Sequence, residues 1–334
     1  METSPMTQTS CKAIVISQYG GPEVLEYIDA EVPAPGPGEV QIRHGAVGLN
    51  FIDVYMRTGL YPLSQLPSGI GLEGAGKVTS VGDGVNDVRV GDRVAYAAPP
   101  PGAYAEVRNI AAERVVKLPE SIDDRTAAAM MLQGLTAQYL LRQTYPVKPG
   151  DVILMHAAAG GVGLMVCQWA KHLGATVIGT VGSEAKADLA KAHGCDHAIL
   201  YTQDNFKERV LDLTDGRGVN VVYDSIGKDT FMDSLDSLKT LGTMVSYGNA
   251  SGPVPAFEPA LLAQKGSLFF TRPSLFDYAA THEALTHMAG ELIDLVAAGT
   301  LKIEVRQDYP LSDAAQAHMD LEARKTTGST VLIP

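Results

Sequence analysis

A single continuous stretch, residues 151–181, constrains the fold of this chain more than any other part of it. It begins with an apolar run of strand length at residues 152–155, followed by a turn of small residues and then by apolar residues at helical spacing. Gly174 stops the predicted helix, and residues 175–181 form a second run that is rich in β-branched side chains. This order predicts a βαβ unit, the phosphate-binding half of a dinucleotide fold.

The turn inside this unit departs from the usual G-x-G-x-x-G pattern. Ala158 stands where the first glycine would be, whereas Gly160 and Gly163 hold the second and third places. Gly160 can let the backbone approach a pyrophosphate, and Gly163 lets the helix pack against the strand. A glycine turn alone is weak evidence, but here the strand before it, the helix after it and the second strand are all present. We therefore predict a dinucleotide site here, in preference to a purely structural turn.

Composition limits the class of protein. A chain of 334 residues suggests about two domains, and 46% hydrophobic with 19% charged residues allows a packed core. The formal net charge of −12 argues against nucleic acid or an anionic membrane surface as the main partner. No apolar run reaches transmembrane length, and residues 1–10 are polar, so we expect a flexible tail there and no contact with a membrane.

The cysteines give no sign of a metal centre. Cys11, Cys167 and Cys195 show no metal-type pairing, and Cys167 falls on the apolar face of the predicted helix. We expect reduced, largely buried thiols in a cytoplasmic protein.

The pattern of the chain changes after residue 119. Before it, short strands separated by glycine turns predict a barrel-like β domain. Between residues 152 and about 271, strands alternate with helices, which predicts an α/β fold with a doubly wound parallel sheet. A helix at residues 281–298 follows, and strands near residues 305–311 and 328–333 are expected to return to the first domain. Other predicted segments are strands at 13–16, 24–27, 40–49, 198–200, 219–224, 243–248 and 267–271, and helices at 125–131 and 134–144.

Several separated motifs carry a resemblance to a known family. They are His156-Ala-Ala-Ala-Gly-Gly-Val-Gly163, Val222-Tyr-Asp-Ser225, Gly248-Asn249, Thr271-Arg-Pro-Ser274 and Asn50-Phe-Ile-Asp53. With the domain order, they resemble the medium-chain dehydrogenase/reductase superfamily, and more closely its NADPH:quinone reductases, the zeta-crystallin-like branch. The resemblance covers nearly the whole chain except residues 1–10.

This resemblance implies both domains and activity. It implies a GroES-like catalytic domain of β-barrel type at residues 1–133, a Rossmann NADPH-binding domain at 134–275, and a C-terminal return to the catalytic domain at 276–334. The implied activity is that of an oxidoreductase, the NADPH-dependent reduction of a small-molecule quinone by hydride or electron transfer.

The zinc ligands of related dehydrogenases have no counterpart here. The zinc alcohol dehydrogenases of this superfamily place a Cys and then a Gly-His-Glu on the catalytic metal. The corresponding stretches read Gly48-Leu49-Asn50 and Gly71-Leu72-Glu73, and residues 97–102 contain no cysteine. Because zinc needs three or four converging ligands, we expect a zinc-independent enzyme with no metal site.

The end of the second strand of the βαβ unit favours NADPH over NADH. An NAD enzyme tends to place an acid there, but this chain has Gly182 and Ser183. The resemblance implies that Lys186, Tyr201 and Arg324 hold the extra phosphate, for which lysine and arginine are well suited. Each of the three alone could be an ordinary surface or strand residue, and only the joint match favours a phosphate site. Glu184 is then expected to point to solvent.

The resemblance also implies which residues meet the nicotinamide and the substrate. Asn50 and Tyr55 should flank the nicotinamide, Tyr61 should border the substrate, and Tyr55 is the best hydrogen-bond candidate. Asp53 could act as a general acid, but a structural or helix-capping role is at least as good an interpretation. We expect no compulsory catalytic acid, because the cofactor carries the chemistry. The implied cofactor-binding residues are Phe51, Ile52, Asp53, Val54, Tyr55, Thr136, Tyr139, Gly160, Gly161, Val162, Gly182, Ser183, Lys186, Tyr201, Ile226, Gly248, Asn249, Ala250, Ser251, Leu275, Phe276 and Arg324.

Two other functions stay open at this point. The same fold can host an NADPH-dependent reductase of enone or alkenal double bonds, because a fold does not fix a substrate. An NADPH-binding protein of the crystallin-like or RNA-binding kind is the other alternative, and the negative charge counts against RNA as the main partner.

A homodimer is expected from residues 267–271. This apolar, aromatic run lies late in the Rossmann domain, where an edge strand is expected, and an unprotected edge invites pairing with another chain. A two-fold axis would place the strand against its own copy. The alternative is an edge that the helix at residues 281–298 covers.

Overall fold

The computed structural model describes residues 8–334, and its contacts divide them into two units. Unit 1 contains the residues up to Leu132 together with Ala279–Gly290 and Val305–Pro334. Unit 2 contains Gln133–Tyr278 and Glu291–Glu304. Residues 276–278 and 291–304, which the sequence assigns to the C-terminal return, therefore cluster with unit 2.

The strands and helices follow one another as the sequence pattern suggests. The first part of the chain forms β1 (Thr9–Ile16), β2 (Glu26–Val32), β3 (Glu39–Leu49), α1 (Phe51–Arg57), β4 (Ser68–Gly69), β5 (Glu73–Val81), β6 (Arg93–Ala97), β7 (Val107–Ala111), β8 (Val116–Lys117), α2 (Asp124–Ala128) and α3 (Met131–Tyr139). The middle part forms β9 (Val152–Met155), α4 (Gly161–His172), β10 (Thr176–Val181), α5 (Glu184–Ala192), β11 (His197–Leu200), α6 (Phe206–Leu213), β12 (Val219–Asp224), α7 (Phe231–Asp236), β13 (Leu238–Ser246), α8 (Ala260–Gln264), β14 (Phe269–Thr271) and α9 (Leu275–Tyr278). The last part forms α10 (His282–Ala297), β15 (Val305–Pro310), α11 (Ala314–Glu322) and β16 (Ser329–Ile333).

Unit 2 is built on a six-stranded sheet in the order β11-β10-β9-β12-β13-β14. All its strand pairs are parallel. Hydrophobic residues of α4 that the helical spacing singles out, Leu164, Val166 and Trp169, are buried at 2% exposure or less. Gly174 has φ +86°, a left-handed conformation typical of the residue that ends a helix. The predicted doubly wound parallel sheet is confirmed.

Unit 1 is rich in antiparallel strands. β1 pairs with β2 and with β4, and a second sheet runs β15-β16-β3-β5-β6-β8, with β7 also paired to β3. Among the strand pairs that residues 8–334 form in these two sheets, only β15–β16 is parallel. Since β16 pairs with β3, the C-terminal strand completes a sheet that begins near the start of the chain.

Three sequence expectations need correction in detail. The strand that returns from β1 begins at Glu26, because Pro22–Val24 forms a short 3-10 turn. β13 begins earlier and ends earlier than residues 243–248. Thr9 and Ser10, expected in a flexible tail, belong to β1, and the remainder of that tail, residues 1–7, lies outside the described residues.

The edge of the parallel sheet lies where the sequence predicts it. β14 is the last strand in the order, and the side chain of Phe269 is 61% exposed. The oligomeric state decides between an edge that pairs with another chain and the alternative of an edge covered by α10.

Two other sequence expectations concern the whole chain. The thiols of Cys11, Cys167 and Cys195 are free and buried, as expected. Among the helices of residues 8–334, none has both the length and the apolar character needed to cross a membrane.

Candidate cofactor and substrate site

The glycine turn of unit 2 lies where the order of the parallel strands reverses. The chain passes from β9 outward to β10 and β11, and then returns to the other side of β9 as β12. Ligands of open α/β sheets bind at the carboxyl ends of the strands at such a reversal. The turn between β9 and α4, and the loop after β12, both lie at that position.

The glycines of this turn have separate roles. A Cβ atom at Gly163 would overlap the Ala157 carbonyl oxygen and lie 2.8 Å from Ala158 Cα, so glycine is needed there for packing, as predicted. A Cβ atom at Gly160 would meet only the Ala157 oxygen, at 3.3 Å. Gly160 is also the N-cap of α4 and has no side chain with which to cap that helix. The start of α4 therefore carries backbone amide groups of the kind that bind an anion such as a pyrophosphate.

His156, which opens this turn, is structural. Its side chain is 1% exposed, with Nδ1 2.9 Å from Thr180 Oγ1 and Nε2 2.9 Å from Ser234 Oγ. Burial lowers the pKa of this imidazole, which keeps it neutral. His156 therefore joins β9 to β10 and α7 rather than offering a proton to a ligand.

The residues expected at the extra phosphate gather in part at the carboxyl end of β10. A Cβ atom at Gly182 would lie 2.7 Å from the hydroxyl oxygen of Tyr201, so this hydroxyl rests directly on the Gly182 backbone. Ser183 is the N-cap of α5 and accepts from Lys186 N at 3.4 Å. Glu184 is exposed, as expected.

Arg324 is the remaining residue expected at that phosphate. It belongs to unit 1, follows α11, and is exposed, with φ +58°.

The loop after β12 is shaped by Asp224, which the sequence includes in a motif but does not single out. The carboxylate is fully buried; Oδ1 accepts from Ile226 N at 2.7 Å and from Gly227 N at 3.0 Å. The Ile226 carbonyl oxygen in turn accepts from Ser251 N at 2.8 Å. A Cβ atom at Gly248 would lie 2.6 Å from the Ser225 oxygen. The expected cofactor residues Ile226, Gly248 and Ser251 are thereby brought together.

The other cofactor residues expected in unit 2 are buried or half-buried. Tyr139 is 3% exposed and stacks on Tyr278, with ring centroids 4.6 Å apart. Thr136 and Leu275 are also buried. Gly161, Val162, Asn249, Ala250 and Phe276 are half-buried.

In unit 1, α1 carries most of the residues expected at the nicotinamide. Asn50 is its N-cap, and Asn50 N donates to Asp53 Oδ2 at 2.9 Å, which confirms the helix-capping interpretation of Asp53. Tyr55 packs edge-on against Tyr61, with centroids 5.2 Å apart, and lies 6.1 Å from the ring of Phe51. Phe51, Tyr55 and Tyr61 thus form one aromatic cluster, whereas Val54 is buried and Ile52 half-buried.

Behind α1 lies a chain of buried polar groups that the sequence does not reveal. Tyr104 donates its hydroxyl to Asp53 Oδ2 at 2.9 Å, and its oxygen lies 3.2 Å from His318 Nε2. Arg57 Nη1 donates to His318 Nδ1 at 3.0 Å and, with Nη2, makes two hydrogen bonds to Glu322. Because Arg57 can only donate, His318 must be neutral with its proton on Nε2, which then donates to Tyr104. Burial and the guanidinium lower the pKa of His318 to about 3, in agreement with this assignment.

The zinc-ligand stretches of related enzymes are filled here by other groups. Glu73 is fully buried, and a Cβ atom at Gly48 would overlap Glu73 Oε2 and the Ala128 oxygen. Within the part of the chain that the structure describes, no three His, Cys, Asp or Glu side chains are placed to hold a metal ion.

We expect Asp53→Asn to flatten the pH dependence of stability. Burial raises the pKa of Asp53 from its ordinary value of 3.8 to about 7, and Oδ1 has no hydrogen-bond partner within residues 8–334. The folded protein holds this proton more tightly than the unfolded chain. The contribution to stability is therefore complete below the ordinary pKa and is lost as pH rises to about 7, with a slope of at most about 1.4 kcal/mol per pH unit.

Chemical denaturation from pH 5 to 8 measures this slope. Asp123→Asn is the matched control, because Asp123 caps α2 with a lowered pKa and asparagine also caps well. A slope that is equal in the wild type and in Asp53→Asn would contradict a protonated Asp53.

Comparison with known proteins identifies the families and relatives that this chain resembles. The alcohol dehydrogenase GroES-like domain matches residues 36–120, and the zinc-binding dehydrogenase domain matches residues 161–295. The quinone oxidoreductase of Pseudomonas aeruginosa is 56% identical, over 97% of this chain and 99% of the relative. The 2-haloacrylate reductase of a Burkholderia species is 47% identical, over 96% of this chain and 98% of the relative.

A solved structure indicates the same family. The crystal structure of Escherichia coli quinone oxidoreductase complexed with NADPH matches with a TM-score of 0.95 and 50% identity, over 97% of this chain and 100% of that one. The expected GroES-like and Rossmann domains, and the resemblance that the motifs indicate, are confirmed. The chain belongs to the quinone oxidoreductase family, the zeta-crystallin-like branch of the medium-chain dehydrogenase/reductase superfamily.

Proposed function

We propose that this protein is a zinc-independent NADPH:quinone oxidoreductase that acts in the cytoplasm. Unit 1 would be the catalytic domain and unit 2 the NADPH-binding domain. The relatives named quinone oxidoreductase, at 50% identity and above, support the activity, and the E. coli structure in complex with NADPH supports the cofactor.

The assignment of NADPH as the cofactor rests on the residues at the end of β10. The Tyr201 hydroxyl lies against the Gly182 backbone, where an NAD enzyme tends to have an acid, and Lys186 follows in the first turn of α5. A tyrosine hydroxyl and a lysine ammonium suit a phosphate ester, whereas a carboxylate would repel it. We assign Lys186, Tyr201 and Arg324 to this phosphate.

The other cofactor contacts follow from the geometry of unit 2. The amide groups at the N-terminus of α4, beside Gly160 and Gly161, would hold the pyrophosphate. The joined loops that contain Ile226 and residues 248–251 would line the rest of the cofactor. When bound, NADPH supplies the hydride.

On the substrate side, the protein's task is to orient the quinone and exclude water. The cluster of Phe51, Tyr55 and Tyr61 offers aromatic surfaces of the kind that stack on a flat quinone ring. The oxygens of the hydroquinone would take protons from water or from the Tyr55 hydroxyl, so no dedicated acid is required. Asn50 would flank the nicotinamide.

We expect NADPH oxidation to be faster with quinones than with activated alkenes. A panel of benzoquinones and naphthoquinones, enones, alkenals and 2-haloacrylate, with NADPH absorbance as the readout, compares kcat/KM directly. The panel includes activated alkenes because one relative is a 2-haloacrylate reductase. A higher kcat/KM for an alkene than for every quinone would show that the protein is an alkene reductase and not a quinone reductase. No turnover, with salt-sensitive retention of RNA, would favour a binding protein.

We expect Lys186→Ala to weaken NADPH binding and to leave NADH binding nearly unchanged. Loss of one hydrogen bond to a charged group costs about 1.5–3 kcal/mol, or roughly 10- to 100-fold in Kd. Titration of the intrinsic cofactor fluorescence gives both constants. Lys191→Ala, in the last turn of the same helix α5, is the matched control and should change neither. An equal loss for both cofactors would show that Lys186 does not contact the phosphate.

We propose a homodimer that joins β14 to its copy across a two-fold axis. Phe269 is 61% exposed on this edge strand, and Pro273 has no amide with which to extend the ladder. Sedimentation should give twice the chain mass of 35.3 kDa, and Phe269→Lys should shift the protein toward monomer. Met232→Lys, at another exposed hydrophobic residue of unit 2, is the control. A wild-type protein that is monomeric at micromolar concentration would rule out this interface.

A further inference from the structure

Within residues 8–334, Glu73 is a buried carboxylate that has no basic partner in its immediate surroundings. Its side chain is 0% exposed, and the groups that bind its charge are amides: Asn50 Nδ2 donates to Oε2 at 2.7 Å, and Leu132 N donates to Oε1 at 2.7 Å. Both are short hydrogen bonds of the kind that an ionised acceptor makes. The negative charge of another acid, Asp53 on α1, also raises the pKa of Glu73.

The position of this carboxylate is fixed by backbone. Gly48, near the end of β3, has no side chain, and any Cβ there would overlap Glu73 Oε2 and the Ala128 oxygen. Leu132 N, at the start of α3, holds the other carboxylate oxygen. Glu73 therefore has little freedom to follow a change in Asn50. The Asn50 carboxamide is held from two sides, because Glu73 accepts from its Nδ2 and its oxygen accepts from the Asp53 backbone amide.

A fixed carboxylate selects one orientation of the Asn50 carboxamide. An ionised carboxylate only accepts, so Asn50 must direct Nδ2, and not Oδ1, toward Glu73. Protonation of Glu73 at Oε2 makes that oxygen a donor that opposes Asn50 Nδ2, while the Asn50 oxygen still caps α1. The protonation of Glu73 thus determines whether the Nδ2 end of the carboxamide is held.

We propose that Glu73 is a positioning residue for the reduction: its ionised carboxylate holds the Nδ2 end of the Asn50 carboxamide, and protonation of Glu73 releases that end. The kinetic part of this proposal rests on the proposed function, in which Asn50 flanks the nicotinamide. Glu73 acts through Asn50 and is not assigned a contact with cofactor or substrate.

The surroundings of Glu73 shift its protonation toward neutral pH. Burial raises the pKa of Glu73 to about 8, ahead of the smaller effects of its hydrogen bonds and of Asp53. Tyr96 on β6 and Tyr104 before β7 have pKa values raised by burial, and His44 on β3 has its pKa lowered to about 4, so these three stay neutral. Asp53 is the other group in this region that changes charge, with a pKa of about 7.

Side-chain amide NMR tests the structural part without any substrate. The chain has only six asparagines, so selective ¹⁵N-asparagine labelling gives a simple spectrum in which Asn50→Ala identifies the Asn50 signal. We expect the Asn50 Nδ2 resonance to shift with an apparent pKa near 8 in the wild type and in Asp53→Asn. In Glu73→Gln this step near pH 8 should be absent, and only the effect of Asp53 near pH 7 should remain. An Asn50 signal that does not titrate between pH 6 and 10 in the wild type would overturn the proposal, whether or not Glu73→Gln folds.

Kinetics with NADPH and a quinone test the functional part. We expect Glu73→Gln to lower kcat/KM for the quinone by up to about 100-fold, the size of effect that follows misplacement of a group near the reaction, while the Kd of NADPH changes little. The rise of kcat/KM through the titration of Glu73 should disappear, and Asn50→Ala combined with Glu73→Gln should be no worse than Asn50→Ala alone. Additive losses, or a pH profile unchanged in Glu73→Gln, would refute a role through Asn50.

Two controls distinguish an effect specific to Glu73 from a general one. Glu106→Gln also alters a carboxylate that accepts from a backbone amide, Lys12 N at 2.9 Å, and should leave the pH profile unchanged. If Glu106→Gln removes the same limb of the profile, the effect is not specific to Glu73 and the proposal fails. If the wild type reduces no quinone, the proposed function fails, and the titration of Asn50 still decides whether Glu73 orients it.

Discussion

The buried charge of Arg57 is the interaction on which the geometry of α1 depends. A guanidinium removed from water needs an opposite charge and acceptors, and Arg57, at 1% exposure, finds them in Glu322, His318 and the Gly20 carbonyl oxygen. Asp53 lies one turn earlier on the same helix and is tied to the same His318 through Tyr104. The contacts that neutralise Arg57 therefore also fix the helix that carries Asn50 and Tyr55.

Local patterns predicted the dinucleotide half of the molecule well. The predicted strands at residues 152–155 and 219–224 coincide with β9 and β12, because a short apolar run between turn residues depends on few distant contacts. The need for glycine at residue 163 also follows from the motif alone. The edge position of β14 followed from its place late in the domain.

The polar network behind α1 is what the sequence did not reveal. Arg57 and Glu322 are 265 positions apart, and no spacing rule connects them. Tyr104 and His318 look like ordinary single residues in their segments. Glu73 gave a weak signal, as a lone acid in a run of glycine and apolar residues, but its partner Asn50 became visible only when β5 and α1 were placed in space. Tertiary hydrogen bonds of this kind depend on topology, which local periodicity does not contain.

The contact between Gly48, Asn50 and Glu73 has a consequence for how such enzymes diverge. A cysteine at residue 48 would overlap the Glu73 carboxylate, and a cysteine at residue 50 would replace its amide donor by a group that becomes an anion when it binds metal. Either single change is unfavourable while Glu73 stays in place, and a change at Glu73 alone leaves Asn50 and Leu132 N without their acceptor. These three residues therefore constrain one another as relatives diverge, because a new side chain at residue 48 or 50 must leave space for the Glu73 carboxylate and supply a donor to it.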